Sequence, residues 1–295
     1  MRAAEEGFLL LSSTLGDPTR KILTVPQLRV LALRVAAMEK PTEDRDLAEA
    51  DLIGLGYGAD MAAGIVRLLN EKERLRRYIR RGQQQGCVPV TRVSEDYPQI
   101  VRQRLGTESP GVLWAKGNIS FLSEKKIALV GSRDITTANA EFAAKVGSEA
   151  ARQGYILISG NARGADRIAQ EACLKAGGRI IVVVADELEK QKANSQILYL
   201  SEEGFDTAFS PLRALSRNRV IHTLAEKVFV AQCAAGKGGT WSGTIKNLKE
   251  NWSPVFCCQD GSKGAAQLVQ LGATAIDAAA LEDFHLLHES QISMF

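Results

Sequence analysis

Four short segments combine small residues with cations in a pattern that suits phosphate. Val130-Gly131-Ser132-Arg133 closes an apolar run: Gly131 lets the backbone turn and a ligand approach, Ser132 offers a hydroxyl, and Arg133 a planar fork. Ser159-Gly160-Asn161-Ala162-Arg163-Gly164-Ala165-Asp166 closes a second run and leads straight into a helix, so small residues would present several N–H groups to an anion. Asp166 either caps that helix or orients an arginine. Ser216-Arg217-Asn218-Arg219, with Phe209 upstream, sets two arginines about an asparagine just before an apolar helix. Gly236-Lys237-Gly238-Gly239-Thr240 opens another helix after a further apolar run. Taken singly, each segment reads equally as a glycine turn or a solvated helix start. Together they predict one phosphate-binding surface. Neither GxGxxG nor GxxxxGK[ST] occurs, so a dinucleotide fingerprint and a Walker ATPase are both unsupported.

No catalytic set accompanies them. His222, His285 and His288 stand apart from any cysteine or acidic cluster, and Ser132 and Ser159 have no histidine partner recognisable in sequence. The five cysteines (Cys87, Cys173, Cys233, Cys257 and Cys258) are odd in number and lack CxxC spacing, which argues against structural zinc and a disulfide framework. A binding protein without metal or cofactor is expected, in a reducing cytoplasm.

The elements that must position these segments fall into two zones. Residues 1–83 read as helices: 26–38, with Pro41 as its stop, then 47–55 and 59–69 joined through Gly54, Gly56 and Gly58, then the arginine-rich stretch 70–81. The pattern predicts a small all-helical domain that resembles SAM or helix-hairpin-helix modules. From 84 to 283, apolar runs at 127–130, 155–158, 180–184, 228–231 and 255–257 alternate with helical stretches at 138–153, 165–176 and 240–251. Buried strands separated by helices predict an α/β fold, an extended Rossmann-like, doubly wound and mostly parallel sheet, with ligands at the carboxyl ends of its strands. Residues 284–295 read as a tail.

The chain has 295 residues, 45% hydrophobic and 24% charged, enough to bury a substantial core. No run is long and apolar enough for a transmembrane helix, and the first residues do not resemble an export signal. Lys and Arg number 37 against 34 Asp and Glu, a net +3, with the excess confined to the first 123 residues. No global field draws the chain onto nucleic acid; any such binding must be local.

In order and spacing the four segments resemble the DNA-processing protein A family, also called Smf. Its pattern is a strand ending VGSR, then SGxARGxDxxAH, then SE…F…RNRxI, then SGxxxTA, a PG pair and a closing GA. Here these correspond to 130–133, 159–166, Ser201-Glu202 with Phe209 and Arg217-Asn218-Arg219, then Ser262-Lys263-Gly264 and Leu271-Gly272-Ala273. Asp96-Tyr97-Pro98 and residues 110–118 match the segment leading into the family's domain. The likeness spans about 88 to 276. Ala169-Gln170 replaces the family's Ala-His, Gln259-Asp260-Gly261 replaces its Pro-Gly, and 239–244 represents SGxxxTA only loosely, which marks a divergent member.

The resemblance implies single-stranded-DNA binding in a basic pocket holding Arg133, Arg163, Arg217 and Arg219, with Gly131, Ser132, Ser159, Gly160, Gly164, Asp166, Asn218, Lys237 and Gly239 around them. It also implies protection of single-stranded DNA and loading of a RecA-type recombinase in DNA uptake and recombination, by a homodimer formed through the Rossmann domain. Backbone donors and arginines read phosphate rather than sequence, so little base specificity is expected. Leu52-Ile53-Gly54-Leu55-Gly56 resembles a helix-hairpin-helix turn that touches phosphate, with a structural turn as the alternative. The arginines of 74–81 read first as a solvated face. Gln291-Ile292-Ser293-Met294-Phe295 resembles the peptide that docks on the bacterial sliding clamp, Met294 and Phe295 filling an apolar pocket while Gln291 sets register; the alternative is a tail packed on its own domain.

Two rivals use the same pocket. A nucleotide-processing enzyme of the lysine-decarboxylase-like (LOG) family would require PGGxGTxxE, but Lys237 stands where its proline would be and the glutamate is missing. A sensor of a small nucleotide is the other, kept open by Gln170 in place of the family's histidine.

Overall fold

The computed structural model describes residues 1–38 and 46–288. The stop at Pro41 and the peptide 291–295 lie outside the described residues. Twelve α-helices occur among those described: α1 (Ala3–Ser12), α2 (Val25–Ala36), α3 (Glu49–Gly54), α4 (Ala59–Leu69), α5 (Lys72–Gln84), α6 (Gln99–Leu105), α7 (Thr137–Arg152), α8 (Ala165–Lys175), α9 (Pro211–Ser216), α10 (Asn218–Leu224), α11 (Gly239–Glu250) and α12 (Lys263–Gln270). They surround a sheet of β1 (Cys87–Thr91), β2 (Val112–Lys116), β3 (Lys126–Val130), β4 (Ile156–Ser159), β5 (Ile180–Val183), β6 (Ile197–Ser201), β7 (Lys227–Val230), β8 (Val255–Cys258) and β9 (Thr274–Ile276).

Strand order is β1-β2-β6-β5-β4-β3-β7-β8-β9, parallel throughout from β6 to β9. The sheet is thus a mostly parallel, Rossmann-like α/β structure, as the alternation of apolar runs and helices predicts. Its strands are apolar on both faces because both faces are covered. Ile127, Leu129, Leu157, Ile180 and Val182 point into a core shared with α7 and α8, while Ala128, Val130, Ile156, Ile158, Ile181 and Val183 point into one shared with α6, α10 and α12.

Four strands escaped the reading of apolar runs. β1 carries Pro89, which a sheet tolerates at its edge, and with β2 it adds an antiparallel margin beside β6. β6 has a half-exposed alternating pattern, and β9 has only three residues.

The N-terminal helices form a small core of their own from Leu23, Leu28, Leu31, Leu52, Ile65 and Leu68. Yet α1 and α5 also enter the core beside the sheet. Tyr78 of α5 meets Trp114 edge-on at 5.4 Å and Phe205 at 4.7 Å between ring centres, and its hydroxyl donates to Asp206 at 2.7 Å. Among the described residues, no helix is long and apolar enough to cross a membrane.

Candidate nucleic-acid interface

Sequence neighbours β3 and β4 pair to one side, and β7 and β8 follow to the other, so the strand order reverses between β3 and β7. Such a switch point opens a crevice beyond the strands' carboxyl ends. A cleft of about 700 Å³ occupies it, walled by the turns after β3, β4 and β7 and by α9 and α10.

Close packing explains the glycines. A Cβ on Gly131 would overlap that of Ala165 at the start of α8, so β3 turns directly against that helix. Gly164 has a φ of +80°, and a Cβ there would run into the carbonyls of Ser132 and Arg133. The turns are laced together: Ser132 N–H donates to the Gln232 carbonyl at 2.9 Å, Ala165 N–H to the Ser132 carbonyl at 3.2 Å, and Thr240 Oγ1 to the Gly131 carbonyl at 2.9 Å. Two helices, α8 and α11, begin at the cleft, and no side chain caps α11. Its first N–H groups and dipole favour an anion there.

The turn after β4 differs from expectation. Gly160 N–H and Ala162 N–H both donate to Asp166, at 3.0 and 3.2 Å, and so are spent inside the protein rather than offered to a ligand. Asp166 is buried, which raises its pKa, while Arg217 and those two N–H groups act against the rise. Ser159 is a second correction. It is wholly buried and its hydroxyl accepts from Gln170 Nε2 at 2.5 Å, so the glutamine standing where the resembling family has histidine holds Ser159 inside.

The four arginines do not share one pocket. Arg217 lies across Gly160 so closely that a Cβ there would coincide with its guanidinium. Burial lowers its pKa, Asp166 and Glu202 oppose that, and its Nε has no hydrogen-bond partner. Arg133 lines the same cleft from an exposed turn. Arg219 faces elsewhere: its Nε and Nη2 donate to Glu202 at 2.9 and 2.5 Å and its Nη1 to the Glu108 carbonyl at 2.7 Å. It lines a separate depression with Pro26 and Ser109. Arg163 is paired with Asp134 at 2.8 Å on the surface, outside the cleft wall. Asn218 lines the cleft but uses its amide to hold the Gly239 carbonyl at 3.1 Å. Lys237 and Gly239 also line the cleft.

Two contributors were not foreseen. Pro211, Ala214 and Leu215 give the cleft an apolar wall, and His222 forms part of its floor. His222 follows Asn218 by four positions, the spacing that puts both on one helix face, so the signal was there to read. Arg213, buried under the same wall, donates to the carbonyls of Ala185, Thr207 and Ala208 and fixes the chain entering α9.

A family model for DNA recombination-mediator protein A matches residues 89–285. Among relatives, DNA processing protein DprA of Bacillus subtilis is 30% identical over 213 residues, covering 66% of this chain and 70% of that one. The DprA of Streptococcus pneumoniae is 31% identical over 184 residues, 57% of this chain and 64% of that one. In three dimensions the chain is similar to the X-ray structure of the Streptococcus pneumoniae protein, with a TM-score of 0.73 at 24% identity, covering 95% of this chain and 97% of the other. DNA processing protein A from Helicobacter pylori is similar with a TM-score of 0.57 at 23% identity, over 68% of this chain and 95% of that one.

Proposed function

The chain belongs to the DNA recombination-mediator protein A family, and on that premise we propose that its strand-end cleft binds single-stranded DNA through the phosphate backbone, without a chemical step. The observation that carries this is Arg217, a half-buried arginine with a buried, unpartnered Nε, facing a cleft onto which the uncapped start of α11 opens. Keeping such a group apart from a carboxylate costs stability, which a phosphate bound there would return. Arg133 and Lys237 add exposed cations at the same cleft. The Helicobacter pylori relative has a described single-stranded DNA binding mode, which supports the same ligand here. Arg163 and Arg219, already paired, are left out of this interface.

Titration with fluorescent oligo-dT at two salt concentrations tests the reading. Binding should be measurable at low salt, weaken steeply as salt rises, and fall with Arg133→Ala and Arg217→Lys. No binding at low salt, or binding indifferent to both substitutions, overturns it.

Family membership further supports three partner assignments within this proposal: a homodimer through the Rossmann domain, hand-over of the bound strand to a RecA-type recombinase, and protection of the strand until then. The peptide Gln291-Ile292-Ser293-Met294-Phe295 is proposed, on its sequence alone, to dock on the sliding clamp. Deleting it should abolish capture by immobilised clamp and leave oligo-dT binding intact; persistence of capture refutes the assignment.

A further inference from the structure

A surface that reads only phosphate has no use for a buried neutral imidazole, yet the cleft contains one. His222, on α10, is 1% exposed and lines the cleft floor. Its Nδ1 has no hydrogen-bond partner. Its Nε2 packs against Gly243 on α11, where a Cβ would stand only 3.3 Å away, so glycine there lets α11 close onto the ring. Six buried side-chain polar atoms are unpartnered among the described residues, and two of them, on Arg217 and His222, belong to residues lining this one cleft. Burial depresses the imidazole's pKa to about 3, so at neutral pH it offers one N–H and one lone pair and no charge.

The rest of the cleft is mixed in character. Arg133 and Lys237 supply charge, Pro211, Ala214 and Leu215 supply an apolar wall, and the floor supplies a neutral donor and acceptor. A nucleotide presents the complementary three: charged phosphate, flat apolar base face, polar base edge. A space of about 700 Å³ is ample for one. We propose that His222 is a specificity-determining residue, whose ring hydrogen-bonds the edge of one nucleobase turned into the cleft and gives a phosphate-keyed site a preference among bases. The assignment presupposes single-stranded-DNA binding at the cleft and replaces the sequence expectation of little base specificity.

The test uses the full chain and oligonucleotides of one length made of dT, dC or dA alone, at one low salt concentration. Wild-type protein should separate its tightest from its weakest oligonucleotide by about five-fold, the scale of one hydrogen bond. His222→Phe, similar in volume but unable to hydrogen-bond, should compress that spread to under about two-fold, chiefly by weakening the tightest oligonucleotide. Should that variant fail to fold, ¹⁵N-histidine NMR of the wild type decides: the His222 ring resonances should shift with the preferred oligonucleotide and stay still with inorganic phosphate. Uniform binding by the wild type, an unaltered ranking in His222→Phe, or an unmoved ring overturns the role of His222 while leaving DNA binding standing. Failure of the wild type to bind any oligonucleotide instead overturns DNA binding itself, and this role with it.

Discussion

Arg74, Arg76 and Arg81 on α5 are held by Asp17, Glu73 and Asp206, whereas Arg133 and Arg217 at the cleft meet no carboxylate within ion-pair distance among the described residues. By count α5 is the more basic region. Its charge is nevertheless largely answered by its own protein, in half-exposed or exposed pairs of the kind that each contribute about 0–1 kcal/mol. The cleft holds fewer cations and leaves them open, one of them at the expense of burial. What makes a basic region a ligand site is therefore the absence of a partner rather than the density of arginine. The same contrast recurs within three residues: Arg217 faces the cleft, and Arg219 is spent on Glu202.

The largest expected effect comes from a glycine-to-alanine substitution made at the cleft, set against the same substitution among the N-terminal helices. Gly160→Ala would drive a Cβ into the Arg217 guanidinium, so oligo-dT affinity should fall at least about tenfold and stability by about 1–3 kcal/mol, read by anisotropy and urea unfolding. Gly64→Ala, inside α4 with open space around it, should raise stability by about 0.5–1 kcal/mol and leave binding alone. Equal outcomes would break the comparison.

Next in size, Arg133→Ala removes one exposed cation and should lower the salt dependence of binding, a slope of log affinity on log salt, by about 0.7 for each single-strand phosphate that Arg133 neutralises. An unchanged slope would mean that Arg133 touches no phosphate.

Acid should separate the regions by pH window. His222 titrates near 3 in the folded chain against 6.5 ordinarily, because burial disfavours its charged form. The unfolded chain therefore takes up a proton below 6.5 that the folded chain refuses. Stability present above 6.5 declines as pH falls toward 3, by up to about 1.4 kcal/mol per pH unit from this one group. His222→Phe should flatten urea midpoints between pH 7 and 4. Asp17, beside α5, is pulled down to about 2, chiefly by its hydrogen bond from Arg74. Its contribution is present above the ordinary 3.8 and is lost only as pH falls from there toward 2, so Asp17→Asn should leave the profile above pH 5 unmoved. A change there would contradict the assignment.

The smallest effect is expected on α5 itself. Arg76→Ala combined with Arg77→Ala should change stability by less than about 0.5 kcal/mol and oligo-dT affinity not measurably. A clear loss of affinity would make α5 a second DNA contact and erase the distinction drawn between the regions.

Much of this was determined by sequence alone. The central strands are legible because a strand buried on both faces must be apolar throughout, as 127–130 and 180–183 are. The strand-end glycines are legible as close approaches, though not what approaches them: for Gly160 it is Arg217, for Gly131 Ala165. The edge strand with Pro89 and the three-residue β9 carry too little pattern to be seen. Tertiary structure decided which cations remain available. Arg81 is answered by Asp206 across 125 residues and Arg219 by Glu202 at the end of a strand the sequence did not announce, while Asp166 turns inward to the backbone of its own loop. Periodicity and turn chemistry are local and can be read along the chain; pairing and burial depend on what the fold brings alongside, and those two properties set the free charge of the cleft.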